Sequence, residues 1–434
     1  MLEALGIAGF FLLIMASIAL HEIGHLIPAK RFGVRVPEYM VGFGPTVVSW
    51  RRGETRYGVK AIPLGGYIRM IGMLPPASDA NPDSLRSMTT GRAGAFIQQA
   101  RKQSFDEIGP GDDKRLFYKL PPWKRIIIML GGPMMNLLLA VLFFTIVLSG
   151  IGIATANTTI ERVAPCLPSA VQMAETGSCP AGESAAALAG LQPGDRIVAL
   201  NGQEVGGWPA LLSSIQESGG QTISIEFVRD GANRSVEVAV PVASRPVLDE
   251  LGRETGSVQQ VGYLGVQPAV NYERQSLTLI PRFMWEMTAR SVEGIISLPV
   301  RLYELVTETL ISGGERSADS PISVVGASRI GGEVVASPDP LQDKAAMFLS
   351  LLASINLFLF LFNLLPFLPL DGGHVAGAFY ESLRKKVAKV LGRPDPGYAD
   401  ISKLLPVTYV AAALLIFVGG IVIFADLVRP LSLT

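Results

Sequence analysis

Residues 5–27 read LGIAGFFLLIMASIALHEIGHLI, and the pentapeptide HEIGH at 21–25 lies inside this apolar run. As a helix the 23 residues reach roughly 34 Å, enough to cross a bilayer. On that helix positions i and i+4 share a face, so the imidazoles of His21 and His25 can point at one metal ion. Glu22 sits beside them, placed to take a proton from a water that the metal activates. The chain has 3 histidines, and two of them make this pattern. Ionisable groups at membrane depth are expensive and mark function.

Working outward, the composition agrees with a membrane class. The chain is 49% hydrophobic and 17% charged, with a mean hydropathy of +0.38, too apolar for an ordinary soluble protein. Its formal net charge of +0 gives no basic field for nucleic acid. No Lys or Arg precedes Lys30, so the run lacks the positive segment of a signal peptide and reads as a retained span. Three further apolar runs, 126–151, 347–370 and 406–427, bring the expected spans to four, with both termini on one side. Lys and Arg outnumber Asp and Glu by 17 to 8 over 28–125 and by 6 to 3 over 373–404, but fall behind, 13 to 22, over 152–346. The positive-inside rule makes the first and third loops cytoplasmic and puts the middle region and both termini outside.

In this topology spans one and three run in the same direction. Asp371, in Leu370-Asp371-Gly372-Gly373-His374, falls at the same depth as His21 and His25, near the cytoplasmic face. An Asp there can complete a three-residue catalytic zinc site with a fourth position left for water; His374 is the rival ligand. HEIGH in the first span together with NLLPFLPLDGG at 363–373 resembles the site-2 protease family of intramembrane zinc metalloproteases, and most closely the bacterial regulator-of-sigma-E protease group. The resemblance implies one zinc ion held by His21, His25 and Asp371, with Glu22 as general base and Asn363 holding the substrate backbone. It also implies substrates that are single-pass membrane proteins, such as anti-sigma factors already cut on the outside. Pro366 and Pro369 cannot continue a regular helix, so the backbone beside the metal should be irregular.

Between spans one and two, residues 38–72 read as short strands, 47–50 and 57–62, around a turn at Arg52-Gly53-Glu54. The resemblance makes this segment a membrane-associated β-hairpin near the active site. Gly42, Phe43, Gly44, Gly65 and Gly66 are then candidate substrate-binding residues, because a free strand edge can take an extended peptide by β-addition. Residues 75–113 read as a flexible polar insertion. The second span carries Gly131, Gly132 and Asn136, which suit close helix packing and an interhelical hydrogen bond.

Outside, LAGLQPGDRIVALNG at 188–202 resembles the core of a PDZ domain, present once. Its physical reading is helix, Gly-Asp turn, strand and Asn-Gly turn. Alternating segments 222–228 and 235–241 flank Asp230-Gly231 as strands. Tyr263, Leu264, Gly265 and Val266 are expected to close the sheet and line a groove for a peptide ligand. Cys166 and Cys179, the 2 cysteines of the chain, lie in this outer region, where a disulfide is permitted and would contribute roughly 3 kcal/mol. Residues 275–312 carry apolar positions at helical spacing and read as an amphipathic helix lying on the outer membrane surface or capping the bundle.

The expected fold is an α-helical membrane protein, with four transmembrane helices, a membrane-associated β-hairpin and one extracytoplasmic PDZ domain of α+β type. Its parts are span one (1–27), a cytoplasmic loop (28–125), span two (126–151), the PDZ domain (157–270), a juxtamembrane segment (271–346), span three (347–371), a cytoplasmic loop (372–405) and span four (406–428). The expected place is the inner membrane, in contact with the lipid bilayer. An inactive scaffold that binds partners through its PDZ domain is the alternative, but a scaffold has no need of Glu22. A metal transporter would spread polar ligands over several spans, whereas here they gather near one end.

Overall fold

A computed structural model describes residues 1–73, 75, 108–166, 182–248, 254–314, 316, 317, 319–399 and 404–431. The expected insertion over 75–113 lies outside these residues except at 75 and 108–113. The chain forms two compact units, one of Met1–Ile151 with Ser276–Thr434 and one of Gly152–Gln275. Among the described residues, four helices are long and apolar enough to cross a membrane: Leu2–Arg31, Pro122–Ile151, Leu341–Asn363 and Leu405–Val428.

The first unit opens with helix α1, Leu2–Arg31. Strands β1, Glu38–Arg52, and β2, Thr55–Arg69, follow. They are longer than the sequence pattern suggests, and they curl. Residues 46–52 of β1 pair with 55–60 of β2, while residues 38–41 of β1 pair with both 56–59 and 66–69. Such pairing brings together stretches far apart along the hairpin, so local alternation does not reveal it. Helix α2, Pro122–Thr145, continues as a wider helical turn over Ile146–Ile151.

The second unit is built on a sheet. Its elements are β3 (Ile153–Val163), α3 (Ala185–Leu188), β4 (Arg196–Leu200), β5 (Gln203–Glu204), α4 (Trp208–Glu217), β6 (Thr222–Arg229), β7 (Ala232–Ala239), β8 (Val242–Leu248), β9 (Glu254–Gly262) and β10 (Val266–Glu273). The sheet order is β10-β3-β4-β6-β7, with β5 against β4 and with β8 and β9 forming a separate pair. Asn201 and Asp230 adopt positive φ (50° and 53°), each followed by a glycine at positive φ, the geometry of tight hairpin turns. Leu211 and Ile215, one turn apart on α4, pack with Ile223, Ile225, Phe227 and Leu264 in the core of this unit. Cys166 is disulfide-bonded; Cys179, its expected partner, lies outside the described residues.

Returning to the first unit, helix α5, Ile280–Glu304, extends as a wider turn to Ile311. Helix α6, Val324–Ala336, buries Gly326, Ala327, Ser328, Gly331 and Gly332. Helix α7, Leu341–Asn363, ends seven residues before the expected end of span three at Leu370, where Pro366 and Pro369 break the hydrogen-bond ladder. Helix α8, Asp371–Val390, occupies a stretch expected as loop, and α9, Leu405–Val428, closes the chain.

Small residues let these helices approach closely. A Cβ on Gly6 of α1 would lie 2.9 Å from the Gly332 Cα of α6, and one on Gly331 would lie 2.6 Å from Phe10 Cγ. A Cβ on Gly24 of α1 would lie 2.7 Å from the Gly131 carbonyl carbon of α2. Backbones in such contact need glycine on both sides. Asn356 of α7 donates to Ser17 Oγ of α1 at 3.1 Å, and the Asp426 carboxylate of α9 accepts from the Ser323 amide at 2.7 Å, at the start of α6.

Candidate metal centre

His21 and His25 lie one turn apart near the end of α1, both buried. Their Nε2 atoms stand 3.2 Å apart. Asp371, the first residue of α8, places Oδ2 at 3.3 Å from each of them. A tetrahedral zinc with nitrogen and oxygen ligands at about 2.0–2.1 Å has ligand–ligand separations of about 3.3 Å. The three donor atoms therefore stand as the corners of such a site, with chemistry that suits zinc: two imidazoles and one carboxylate. Among the described residues, this trio is the one group whose donor atoms converge in this way.

Local sequence explains why these side chains meet. The contact between Gly24 and Gly131 brings α1 against α2, so the Ile128 carbonyl lies 2.8 Å from His25 Nδ1. The Gly132 amide also approaches Nδ1, at 3.3 Å, but that amide already serves the helical ladder of α2. The carbonyl can only accept, so Nδ1 of His25 carries the hydrogen and Nε2 is left with its lone pair toward Asp371. Gly132 stands where both rings crowd α2: a Cβ there would come within 2.7 Å of His21 Nε2. On the opposite wall the chain turns at 364–370 and restarts as helix at Asp371. A Cβ on Gly373 would lie 2.6 Å from Leu368 N, so glycine after the aspartate lets α8 begin against the turn.

Glu22 is 8% exposed and lines, with the trio, a cavity of about 420 Å³. Gly66 of β2 flanks it: a Cβ at Gly66 would touch Glu22 Cγ at 3.0 Å. Tyr39 of β1 donates to the Ala19 carbonyl at 2.8 Å, which fixes the hairpin to α1.

The other sequence candidates divide. Gly65, Gly66 and Asn363 line the cavity; Gly42, Phe43 and Gly44 do not. Phe43 instead stacks on Tyr67 at 6.2 Å. In the second unit, Tyr263, Leu264 and Gly265 form the connection from β9 to β10, and Val266 opens β10. Leu264 is 2% exposed and belongs to the core, so its side chain does not face a groove. His374, one turn into α8, lines the same cavity as the trio, and its Nδ1 has no hydrogen-bond partner among the described residues. The interhelical hydrogen bond expected of Asn136 is present, but its imidazole partner, and the Ile128 carbonyl at the other imidazole, were not foreseen. Asn136 Nδ2 of α2 lies 3.1 Å from His21 Nδ1, and the single signal was an amide in an apolar span. The pair Arg125–Glu381, at 2.6 Å, was missed as well; it ties α8 to the start of α2.

Comparison with known proteins agrees with this geometry. A family model described as "Peptidase family M50" matches residues 9–392. The chain is 34% identical over 452 residues to "Zinc metalloprotease Rip1" of Mycolicibacterium smegmatis, covering 100% of both chains. It is 33% identical over 441 residues to "Zinc metalloprotease Rip1" of Mycobacterium tuberculosis, again over 100% of both. Over 439 residues it is 24% identical to "Regulator of sigma-W protease RasP" of Bacillus subtilis, covering 88% of this chain and 90% of the relative. With donor atoms of two histidines and an aspartate poised for one ion among apolar helices, the chain belongs to peptidase family M50, the site-2 protease family of zinc metalloproteases.

Proposed function

We propose that this multi-pass membrane zinc metalloprotease hydrolyses a peptide bond in or beside the transmembrane segment of single-pass membrane proteins. In this reading His21, His25 and Asp371 hold the zinc. The observation that carries it is the set of separations at 3.2 and 3.3 Å between their donor atoms, with Glu22 on the same helical turn and in the same cavity. Zinc bound there supplies Lewis acidity to the scissile carbonyl and to a water. The Glu22 carboxylate accepts the proton of the attacking water and passes it to the leaving amide nitrogen.

A substrate helix hides its scissile bonds, so it must unwind before attack. Residues 66–69 of β2 pair with 38–41 on one edge, and their other edge has no strand partner among the described residues. That edge lines the cavity and offers an unwound segment backbone hydrogen bonds by β-addition, with the Asn363 amide on the facing wall. The relative's name "Regulator of sigma-W protease" supports anti-sigma factors as the substrate class. The charge balance of the loops supports an orientation with the metal near the cytoplasmic face and both termini outside. The unit Gly152–Gln275 is read as an extracytoplasmic PDZ domain that screens substrates by size or takes a peptide ligand. Cys179 is the proposed partner of the disulfide-bonded Cys166.

The test is cleavage in proteoliposomes of a single-pass substrate whose outer part has been trimmed. The expected products end within or at the border of its transmembrane segment; a chelator stops the reaction, zinc restores it, and Asp371→Ala abolishes it. Cleavage confined to the soluble part of the substrate, or indifferent to chelator, would overturn the reading.

A further inference from the structure

Asn136 is 1% exposed and sits on the second span with its amide against His21. As placed, its nitrogen, Nδ2, lies 3.1 Å from His21 Nδ1, and its oxygen, Oδ1, is buried with no hydrogen-bond partner among the described residues. The two ends of an amide have the same shape, so bonding pattern assigns them. If Nδ2 donates to His21, the imidazole hydrogen must sit on Nε2. That tautomer removes the lone pair aimed at the position where the three donor atoms converge, 3.3 Å from Asp371 Oδ2. In the reversed orientation His21 Nδ1–H donates to Asn136 Oδ1, and Nε2 is free to bind metal. The amide NH₂ then takes the buried place that Oδ1 now holds.

We infer that Asn136 is a positioning residue: its side-chain oxygen accepts from His21 Nδ1–H and so fixes the metal-binding tautomer and ring orientation of His21. This rests on the proposal that His21 holds zinc. The two histidines then have matched supports from the same helix. Ile128 O of α2 accepts from His25 Nδ1 at 2.8 Å, and Asn136, two turns further along α2, accepts from His21. One support is a backbone carbonyl that no substitution can remove. The other is a side chain and can be changed. Supports of this kind govern ligand basicity and orientation, and losing one lowers metal affinity about 10–100-fold.

The experiment compares wild type, Asn136→Leu and Asn136→Asp, each as the full chain in detergent, by zinc retention against a graded chelator and by the visible spectrum after cobalt substitution. Leu keeps the volume and cannot accept. Asp keeps the acceptor and cannot donate. The expected result is zinc affinity weakened about 10–100-fold in Asn136→Leu, with an altered cobalt spectrum, and affinity equal to or tighter than wild type in Asn136→Asp. Zinc bound as in wild type by Asn136→Leu would overturn the inference. So would loss of zinc from Asn136→Asp, which decides the matter even if the Leu variant does not fold, because a donating asparagine cannot be replaced by a carboxylate. Wild type without zinc would overturn the proposed metal site itself, a result distinct from either of these.

Discussion

Replacing Gly132 with Ala adds one methyl group at the place where α2 passes the two imidazoles. Its Cβ would lie 2.7 Å from His21 Nε2 and from His25 Cδ2, and closer still to His25 Nε2. Ordinary contact between such atoms is about 3.5 Å. The helix must therefore retreat, or the rings must turn, by about 0.8 Å or more, whereas a metal site tolerates about 0.2 Å in its ligand distances. Retreat would part the packed backbones of Gly24 and Gly131 and stretch the His25–Ile128 hydrogen bond, so the rings give way first. Zinc affinity should fall at least about 100-fold, the upper range for losing ligand orientation alone. The assay is zinc content after dialysis against a weak chelator, with cleavage measured on the same sample and folding checked by size exclusion. A folded Gly132→Ala protein that retains stoichiometric zinc would refute the reasoning, because it would show that α2 does not bound the metal position.

Three further perturbations have defined outcomes. Glu381 is fully buried beside Arg125 at 2.6 Å and Lys385 at 2.9 Å, and accepts from the Ala399 amide at 3.0 Å. Burial raises its carboxyl pKa, but Arg125 and the Ala399 amide outweigh this and hold it below the usual range. Arg125→Met alone strands the carboxylate and should cost about 3–5 kcal/mol, read as a lower Tm in detergent, while the Arg125→Met, Glu381→Met double variant recovers most of the loss. In the second unit Asp195 pairs twice with Arg229, at 2.6 Å, and accepts from the Gln192 amide at 2.7 Å. Burial raises Asp195, and Arg229 and Gln192 more than reverse it, so its folded pKa lies below the unfolded one. Its stabilisation is then present above the unfolded pKa, about 3.9, and is lost as pH falls through the folded pKa. Asp195→Asn should lower hydrogen-exchange protection of β4 at neutral pH, and the difference from wild type should vanish in strong acid. Asp371→Ala should lose zinc to a chelator that leaves wild type loaded.

The apolar helices were legible because a bilayer demands long uninterrupted runs, and four such helices are present. Their ends were not. Hydropathy marks the lipid-facing stretch, while hydrogen bonds carry α1 on to Arg31 and start α7 at Leu341, beside Asp343 and Lys344. Helix α6 escaped notice because its packing face is Gly326, Gly331 and Gly332, and a face of glycines has no hydrophobic period to read. Helix α8 was hidden for the opposite reason: its run of Arg384, Lys385, Lys386 and Lys389 reads as loop, yet Glu381 anchors it from the buried side. At the metal centre, the i, i+4 pair was readable as local geometry, and Asp371 required the topology of two spans. The contacts of Ile128 and Asn136 with the imidazoles required the crossing of α1 and α2, which no local pattern encodes.

The most direct test of a zinc site served by a glutamate base is to measure zinc stoichiometry and transmembrane-substrate cleavage in wild type and Glu22→Gln side by side. Gln fills the same space and cannot take a proton. One zinc per chain in both proteins, with cleavage slowed at least about 100-fold in Glu22→Gln, is the predicted result. Cleavage by Glu22→Gln at the wild-type rate, or by wild type holding no metal, would contradict the account.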